Sequence, residues 1–401
     1  MINKKYVLFT RIPILKSQNG KVYTLSLWAK DLKLHLNYLV NFNLCCPVVK
    51  VNDELEIAGL EDITGLNVRN IFALKKDAGL FSVIKNFFPN FFTVIKACRF
   101  SEIAHSGGAG WAFPLSFYLL VLRPFFKFQW IIVIESSFWM LRKNEKITIR
   151  KFFDHHLHSM LLKKCVKSAD ARIFTQTFYK TYFLKNNDRT LIAPATWVDD
   201  EHIIDSEALT NRMAIHKGKP IEILFPARLE ENKGVHIVLD AIKMLSAQVT
   251  EPINITIMGA GPLANKCKEF ANRNYGYVHV TFREPVEYGK VFFEVLAQYD
   301  VILVANLAEE QPRIIYDAFS QGCTVIASDT SGIVDITVNE RNVLLFKRGD
   351  AKSLVNRLVE IMRNPNSVVK LGQEALTSVK KKTHIQMHLD REQFLKSILK
   401  C

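Results

Sequence analysis

The sequence predicts an α/β chain built as two Rossmann-like, doubly wound domains in tandem. Three observations carry this. Short β-branched or apolar runs alternate with helical patterns, which implies parallel sheets covered on both faces. The alternation comes as two consecutive series, separated by a polar stretch near Pro194 to Pro220. The chain has 401 residues, too many for a single core at roughly 150 residues per domain. The expected divisions are a first domain over 1–196, a second over 197–380 and a helical tail over 381–401, packing back on the first domain.

In the first series the strand signals are Tyr6-Phe9, Leu44-Val49, Val68-Leu74, Ile103-His105, Trp130-Ile134, Ala171-Thr175 and Thr190-Ala193. In the second they are Ile221-Phe225, Ile253-Met258, Val278-Phe282, Val301-Val304, Val325-Ala327 and Val343-Phe346. Helical stretches lie between them. Val235, Val238, Leu239, Ile242 and Leu245, for example, share one helical face. A further helix runs from Pro312 to Gln321, with Gly322 as a natural residue beyond its end.

Hydrophobic residues make up 49% and charged residues 23%, with only 17 Gly and 13 Pro, which excludes disorder, collagen and coiled coil. A net charge of +14 favours anionic partners. Seven cysteines without a C-x-x-C point to a reduced, cytosolic chain. The apolar run Tyr6-Phe9 is too short for a signal peptide. Between Ile103 and Leu141 the apolar residues are interrupted by glycines, Pro114, Arg123, Lys127 and Glu135, so no transmembrane helix is expected there.

Open parallel sheets bind ligands at the carboxyl ends of their strands. After Ile221-Phe225 a loop carries Arg228 and Lys233 into a helix. Two cations beside a helix N-terminus suit a diphosphate, although such residues in loops are usually just solvated. After Ile253-Met258 comes Gly259-Ala-Gly261-Pro262, which permits close backbone approach or simply makes a tight turn. After Val301-Val304, Glu309 precedes the next helix and Asp317 lies inside its apolar stretch. A buried Asp needs a partner, supplied either by sugar hydroxyls or from within the chain.

These loops, in this order from Ile221 to Pro365, resemble the donor domain of the family 4 glycosyltransferases. The pieces are Arg228-Leu-Glu-Glu-Asn-Lys233-Gly, Met258-Gly-Ala-Gly-Pro262-Leu, Val280-Thr-Phe282, Glu309-x7-Asp317-Ala-Phe-Ser-Gln-Gly322, Val325-Ile-Ala-Ser328-Asp-Thr-Ser-Gly332-Ile-Val-Asp335 and Asn364-Pro365. The resemblance implies the GT-B fold, with its two domains facing a central cleft. It also implies a retaining, nucleotide-sugar-dependent transferase with no essential metal and no other cofactor. Arg228 and Lys233 would hold the donor diphosphate and stabilise the departing nucleotide, the work a metal does in other transferases. Glu309 would contact the transferred sugar and Asp317 the ribose. Gly259 and Gly261 would approach the donor, the Val286 backbone would touch the base, and Gly332 would begin a helix facing donor phosphate or sugar. The chain departs from the family in its second acid, which is Asp, in Arg283-Glu-Pro285 where a Gly is common, and in a first loop, Arg11 to Gly20, with a single Gly.

The first half yields fewer candidates. His105, read at a strand end beside Ser106-Gly-Gly-Ala-Gly-Trp111, is a candidate contact for the transferred sugar or the acceptor, or else a packed histidine. Glu135 is a candidate for orienting an acceptor hydroxyl, or a structural carboxylate. His155 and His158 stand one helical turn apart without a clear third ligand, so no metal site is expected. The stretch 75–100 interleaves Lys75, Lys76, Lys85, Lys96 and Arg99 with six phenylalanines. This suits either an anionic bilayer surface or an ordinary helix with Phe inside. Single-stranded nucleic acid ranks lower, because no nucleic-acid module accompanies the stretch.

The resulting expectation is a cytoplasmic glycosyltransferase, peripheral on the inner face of the cell membrane. It would move a hexose from a nucleoside-diphosphate sugar to a glycan or lipid-linked acceptor in cell-surface polysaccharide biosynthesis. The rivals are a degenerate GT-B chain that binds nucleotide sugar or a partner subunit without turnover, a nucleotide-sugar epimerase, and a nucleic-acid binder.

Overall fold

The structure, a computed structural model, describes residues 1–399 except 53, 78, 109, 111–112, 138, 142–146, 185–188 and 217. It divides into two compact units, Met1–Ala193 with His388–Cys401, and Pro194–Met387.

In the first unit the elements run β1 (Tyr6–Phe9), β2 (Ile14–Lys16), β3 (Val22–Thr24), α1 (Ser26–Leu36), β4 (Phe42–Lys50), β5 (Glu61–Asp62) and β6 (Ile71–Leu74). They continue through α2 (Leu80–Phe100), β7 (Ile103–Gly107), α3 (Leu115–Leu122), β8 (Gln129–Ile134), α4 (Ile149–Ser168), β9 (Ala171–Phe174), α5 (Thr177–Phe183) and β10 (Thr190–Ile192). Among the described residues ten strands form one sheet, with a parallel core in the order β10-β9-β8-β7-β1-β4 and β6 on the other flank of β4. The far end of β4 pairs with β2, which extends through antiparallel β3 and β5. The strand signals read from sequence all fall on strands. The additions β2, β3 and β5 are two or three residues long, too short to carry a period-2 pattern. Every residue of β1 is buried, as expected for a parallel strand covered on both faces. Val7, Phe9, Ala104, Trp130 and Ile132 share a core with side chains of α2, α3 and α4. Tyr6 and His105 point the other way, toward His35 of α1.

In the second unit α6 (Ser206–His216) lies within the polar stretch where no element was expected. There follow β11 (Ile221–Pro226), α7 (Val235–Ser246), β12 (Ile253–Met258), α8 (Ala264–Ala271), β13 (Val278–Arg283), α9 (Lys290–Leu296) and β14 (Val301–Val304). Then come α10 (Ile314–Ser320), β15 (Thr324–Ser328), α11 (Ser331–Val334), β16 (Leu344–Phe346), α12 (Ala351–Arg363), α13 (Pro365–Val379) and α14 (His384–Leu399). The sheet is wholly parallel, in the order β13-β12-β11-β14-β15-β16. Strand order reverses between β11 and β14, which marks the switch point where such sheets take ligands. The predicted stripe Val235, Val238, Leu239, Ile242 and Leu245 of α7 is buried against one face of this sheet, and α10 and α13 cover the other. The stretch 381–401 does not form one separate tail. It divides at Met387, and the part from His388 onward belongs to the first unit.

Candidate functional site

The loops after β11, β12 and β14 are hydrogen-bonded to one another through their backbones. Ala227 N–H donates to Met258 O at 3.0 Å, Leu229 N–H to Ala260 O at 2.8 Å, Leu263 N–H to Leu229 O at 3.0 Å and Leu307 N–H to Asn232 O at 2.8 Å. Three glycines make this approach possible. A Cβ on Gly234 (φ +71°) would lie 2.0 Å from Ala305 O, and one on Gly259 1.9 Å from Ala227 O. At Gly261 it would lie 2.7 Å from Leu229 O. The G-x-G signal after β12 thus has a packing cause, since neighbouring backbone already fills the space a side chain would take.

On this platform the charged side chains form two pairs. Lys233 closes a single 3₁₀ turn, Glu231–Lys233, before Gly234 and α7. Its Nζ lies 2.8 Å from Glu310 Oε2, with both side chains largely shielded. Arg228, five residues earlier in the same loop, is exposed and lies 3.5 Å from Glu230. Glu309 accepts at Oε2 from the Ser331 N–H (2.8 Å) and hydroxyl (2.7 Å), and its Oε1 takes the Arg348 guanidinium. Ser331 is the first residue of α11, so Glu309 caps that helix and ties the loop after β14 to the loops after β15 and β16. Burial pushes the Glu309 pKa up, but the Ser331 hydrogen bonds and the Arg348 charge outweigh it and hold the carboxyl below its ordinary value.

Glu310 and Arg348 were missed as site residues in the sequence. Arg348 follows β16 directly, and the rule that flagged Arg228 would have reached it. Glu310 stands beside Glu309 in the same loop, but only the fold shows that it faces Lys233.

Asp317 is 4% exposed in the first turn of α10. The partner a buried Asp needs comes from within the chain, as the Tyr288 hydroxyl donates to Asp317 Oδ1 at 2.9 Å. Burial, followed by the charge of Asp317, raises the Tyr288 pKa, so the phenol stays protonated. Val286 and Tyr288 pack against the core beneath α10. Gly332 is buried as the second residue of α11.

In the first unit the geometry corrects the reading of His105. It lies in the middle of β7, not at its end, and is 6% exposed. Its Nδ1 is 2.7 Å from the Tyr6 hydroxyl. Burial, then His35, pushes its pKa well down, so it is a neutral packed histidine. Of the glycine run, Gly108 packs tightly, since a Cβ there would meet Ile134 at 2.3 Å. Ala109 and Trp111 lie outside the described residues. Glu135 follows β8 and lies 3.9 Å from Arg391 of α14. His155, His156 and His158 each direct Nδ1 at a backbone carbonyl, of Trp139, Phe152 and Asp154. In the stretch 75–100, α2 packs Phe87, Phe91 and Phe100 inward and leaves Phe81, Phe88 and Phe92 exposed.

Residues 210–377 match the family model of the glycosyl transferases group 1. The putative colanic acid biosynthesis glycosyltransferase WcaL of Salmonella typhimurium is 26% identical over 166 residues, covering 40% of each chain. The match thus spans about two-fifths of that relative's length. Among solved structures, sucrose-phosphate synthase from Thermosynechococcus elongatus is similar at a TM-score of 0.70 and 16% identity, over 98% of this chain and 99% of that one. HepE of Anabaena, solved in complex with UDP-glucose, is similar at 0.64 and 11% identity, over 99% and 100%. At these identities the likeness speaks for the fold, which is GT-B. The family likeness of this chain is therefore to the group 1 glycosyl transferases, over residues 210–377.

Proposed function

We propose that this protein moves a hexose, with retention of configuration, from a nucleoside-diphosphate sugar to a glycan or lipid-linked acceptor in polysaccharide biosynthesis. The observation that carries the reading is the platform after β11, β12 and β14. It presents Lys233 and Arg228 in one loop, beside a Glu309 held ionised by Ser331 and Arg348. The UDP-glucose complex of HepE and the colanic acid role in WcaL's name are consistent with it.

In this reading Lys233 and Arg228 hold the diphosphate, and Glu309 faces the transferred sugar. Asp317 reaches the ribose once Tyr288 shifts, and backbone at Gly259, Gly261, Val286 and Gly332 lines the donor. The bond from the anomeric carbon to the diphosphate breaks, and the acceptor oxygen bonds to that carbon on the same face. The acceptor proton leaves with the departing phosphate. Fixed cations neutralise the developing pyrophosphate charge, so no essential metal is required. The stretch 75–100 would bring the enzyme to the inner face of the cell membrane, where a lipid-linked acceptor resides.

A second reading is favoured by the two internal pairs. Glu310 on Lys233 and Tyr288 on Asp317 occupy groups that a donor would use, as in a chain that binds nucleotide sugar without turnover. One experiment separates the two. A thermal-shift screen of nucleoside-diphosphate sugars identifies the donor, because a bound ligand raises the melting temperature by mass action. With that donor, Arg228→Ala and Lys233→Ala should each weaken binding by on the order of 1–3 kcal/mol. Glu309→Ala should abolish transfer or slow hydrolysis of the donor. Unchanged donor affinity in both cation variants removes the diphosphate assignment. Donor binding without any turnover by the wild type selects the second reading.

A further inference from the structure

One face of the first sheet is covered by α2, α3 and α4, with α3 touching both of the others. A helix that covers a sheet ordinarily buries an apolar stripe and turns a polar one to solvent. Here α2 and α4 bury one apolar stripe and expose a second. On α2, Phe87, Phe91 and Ile95 pack against the core, while Phe81, Ile84, Phe88 and Phe92 are 80%, 66%, 65% and 60% exposed. On α4, Leu162, Cys165 and Val166 are fully buried, while Ile149, Phe153, Leu157 and Met160 are 80%, 66%, 51% and 50% exposed. That exposed stripe on α4 recurs at helical spacing over three turns. Beyond α3, Phe125 is 75% exposed. Single exposed apolar side chains are ordinary, but runs of them on neighbouring helices mark a contact surface.

The charge around the stripes names the partner. α2 carries Lys85, Lys96 and Arg99 and no acid. α4 carries Arg150, Lys151, Lys163, Lys164 and Lys167 against Asp154 alone. Among the described residues no helix is long and apolar enough to cross a membrane. A basic helix of this kind lies in the interface plane, with its apolar stripe at the boundary of headgroups and acyl chains. A second copy of this chain would bring the same positive face against itself, whereas anionic lipid brings the opposite sign.

We infer that α2 and α4 together form a membrane-docking face for an anionic bilayer, with α4 as a second insertion helix. This rests on the reading that 75–100 meets the membrane, and adds to it the stripe Ile149, Phe153, Leu157 and Met160.

The test is co-sedimentation of the full chain with vesicles of phosphatidylcholine and phosphatidylglycerol, and with vesicles of phosphatidylcholine alone. One variant carries Phe153→Ser with Leu157→Ser, and another carries Phe81→Ser with Phe88→Ser. All four side chains are exposed, so the melting temperature should not change. The wild type should bind the mixed vesicles and not the neutral ones. Each variant should lose roughly tenfold or more in partitioning, the scale expected for two apolar side chains no longer inserted. If the α2 variant loses binding and the α4 variant keeps it, the role of α4 is overturned and the reading of 75–100 stands. If the wild type binds neither vesicle, both fall. Equal binding to neutral vesicles overturns the anionic partner. A wild-type dimer that the α4 variant disperses, with no vesicle binding, overturns the proposal in favour of a second copy.

Discussion

Lys233 and Glu310 show what a single ion pair does at this site. Their 2.8 Å contact is mostly shielded, so the ammonium meets a carboxylate before it meets any donor. In the proposed function a diphosphate displaces that carboxylate, and the displacement costs part of the binding energy. Glu310→Gln should therefore tighten nucleoside-diphosphate binding by about three- to tenfold, the span of one modest charge-assisted interaction. Calorimetric titration of the variant checks this, and weaker binding would mean that Glu310 instead orients Lys233 for the donor. Glu309 is differently placed. Its hydrogen bonds from Ser331 make it a fixed cap of α11 that stays ionised at neutral pH. Of these residues, Arg228, Lys233, Glu309 and Asp317 were singled out as candidates from their places after strands and inside a helix. Glu310, Arg348 and Tyr288 were not singled out. Their importance lies in what they touch, and contact across a fold leaves no local pattern in a sequence.

Among the elements, the site depends on how closely three loops approach. Gly234 lies between the turn that carries Lys233 and the start of α7, at φ +71° and against Ala305 O. Gly234→Ala must strain the backbone and push the loop after β14 away. The expected cost is at least about 1–3 kcal/mol, read as a lower denaturant midpoint with an unchanged slope. Donor affinity should fall in the same variant, because Lys233 and Glu309 are carried by the two loops that separate. A variant as stable as the wild type would mean that the loops do not need this contact. The strands and their order of appearance were legible because buried parallel strands read as short apolar runs. β2, β3 and β5 were not, because two or three residues cannot show a period. His105 was misplaced because the end of its strand was set too early: β7 continues to Gly107 and puts the histidine in its middle.

Acid stability belongs to the molecule as a whole, because the groups that set it come from distant parts of the chain. His388 of α14 donates from Nε2 to Asp31 Oδ1 at 3.0 Å, lies 3.3 Å from the Tyr38 hydroxyl, and stacks edge-on against His35. Burial pushes its pKa down to about 3, against the pull of the Asp31 hydrogen bond. His105 is shifted the same way. A folded pKa below the unfolded value of about 6.5 means that the unfolded chain takes up the proton first as pH falls. Stability is therefore full above about pH 6.5 and declines below it, by up to about 1.4 kcal/mol per pH unit for each such histidine, continuing for His388 to about 3. His388→Gln retains hydrogen bonding and removes the titration, so its melting temperature should fall less steeply between pH 6.5 and 4.5 (roughly the window that those values open). Equal slopes would refute the assignment. By itself the sequence determined the two α/β series, the longer strands, the platform loops and the family likeness, because these rest on local periodicity and on motif order. Only the tertiary structure decided which charges pair, which glycines are filled by backbone, and that α14 returns His388 to the first unit. Those outcomes depend on side chains far apart in the chain meeting in a low-dielectric interior, where burial and partner together set charge and fit.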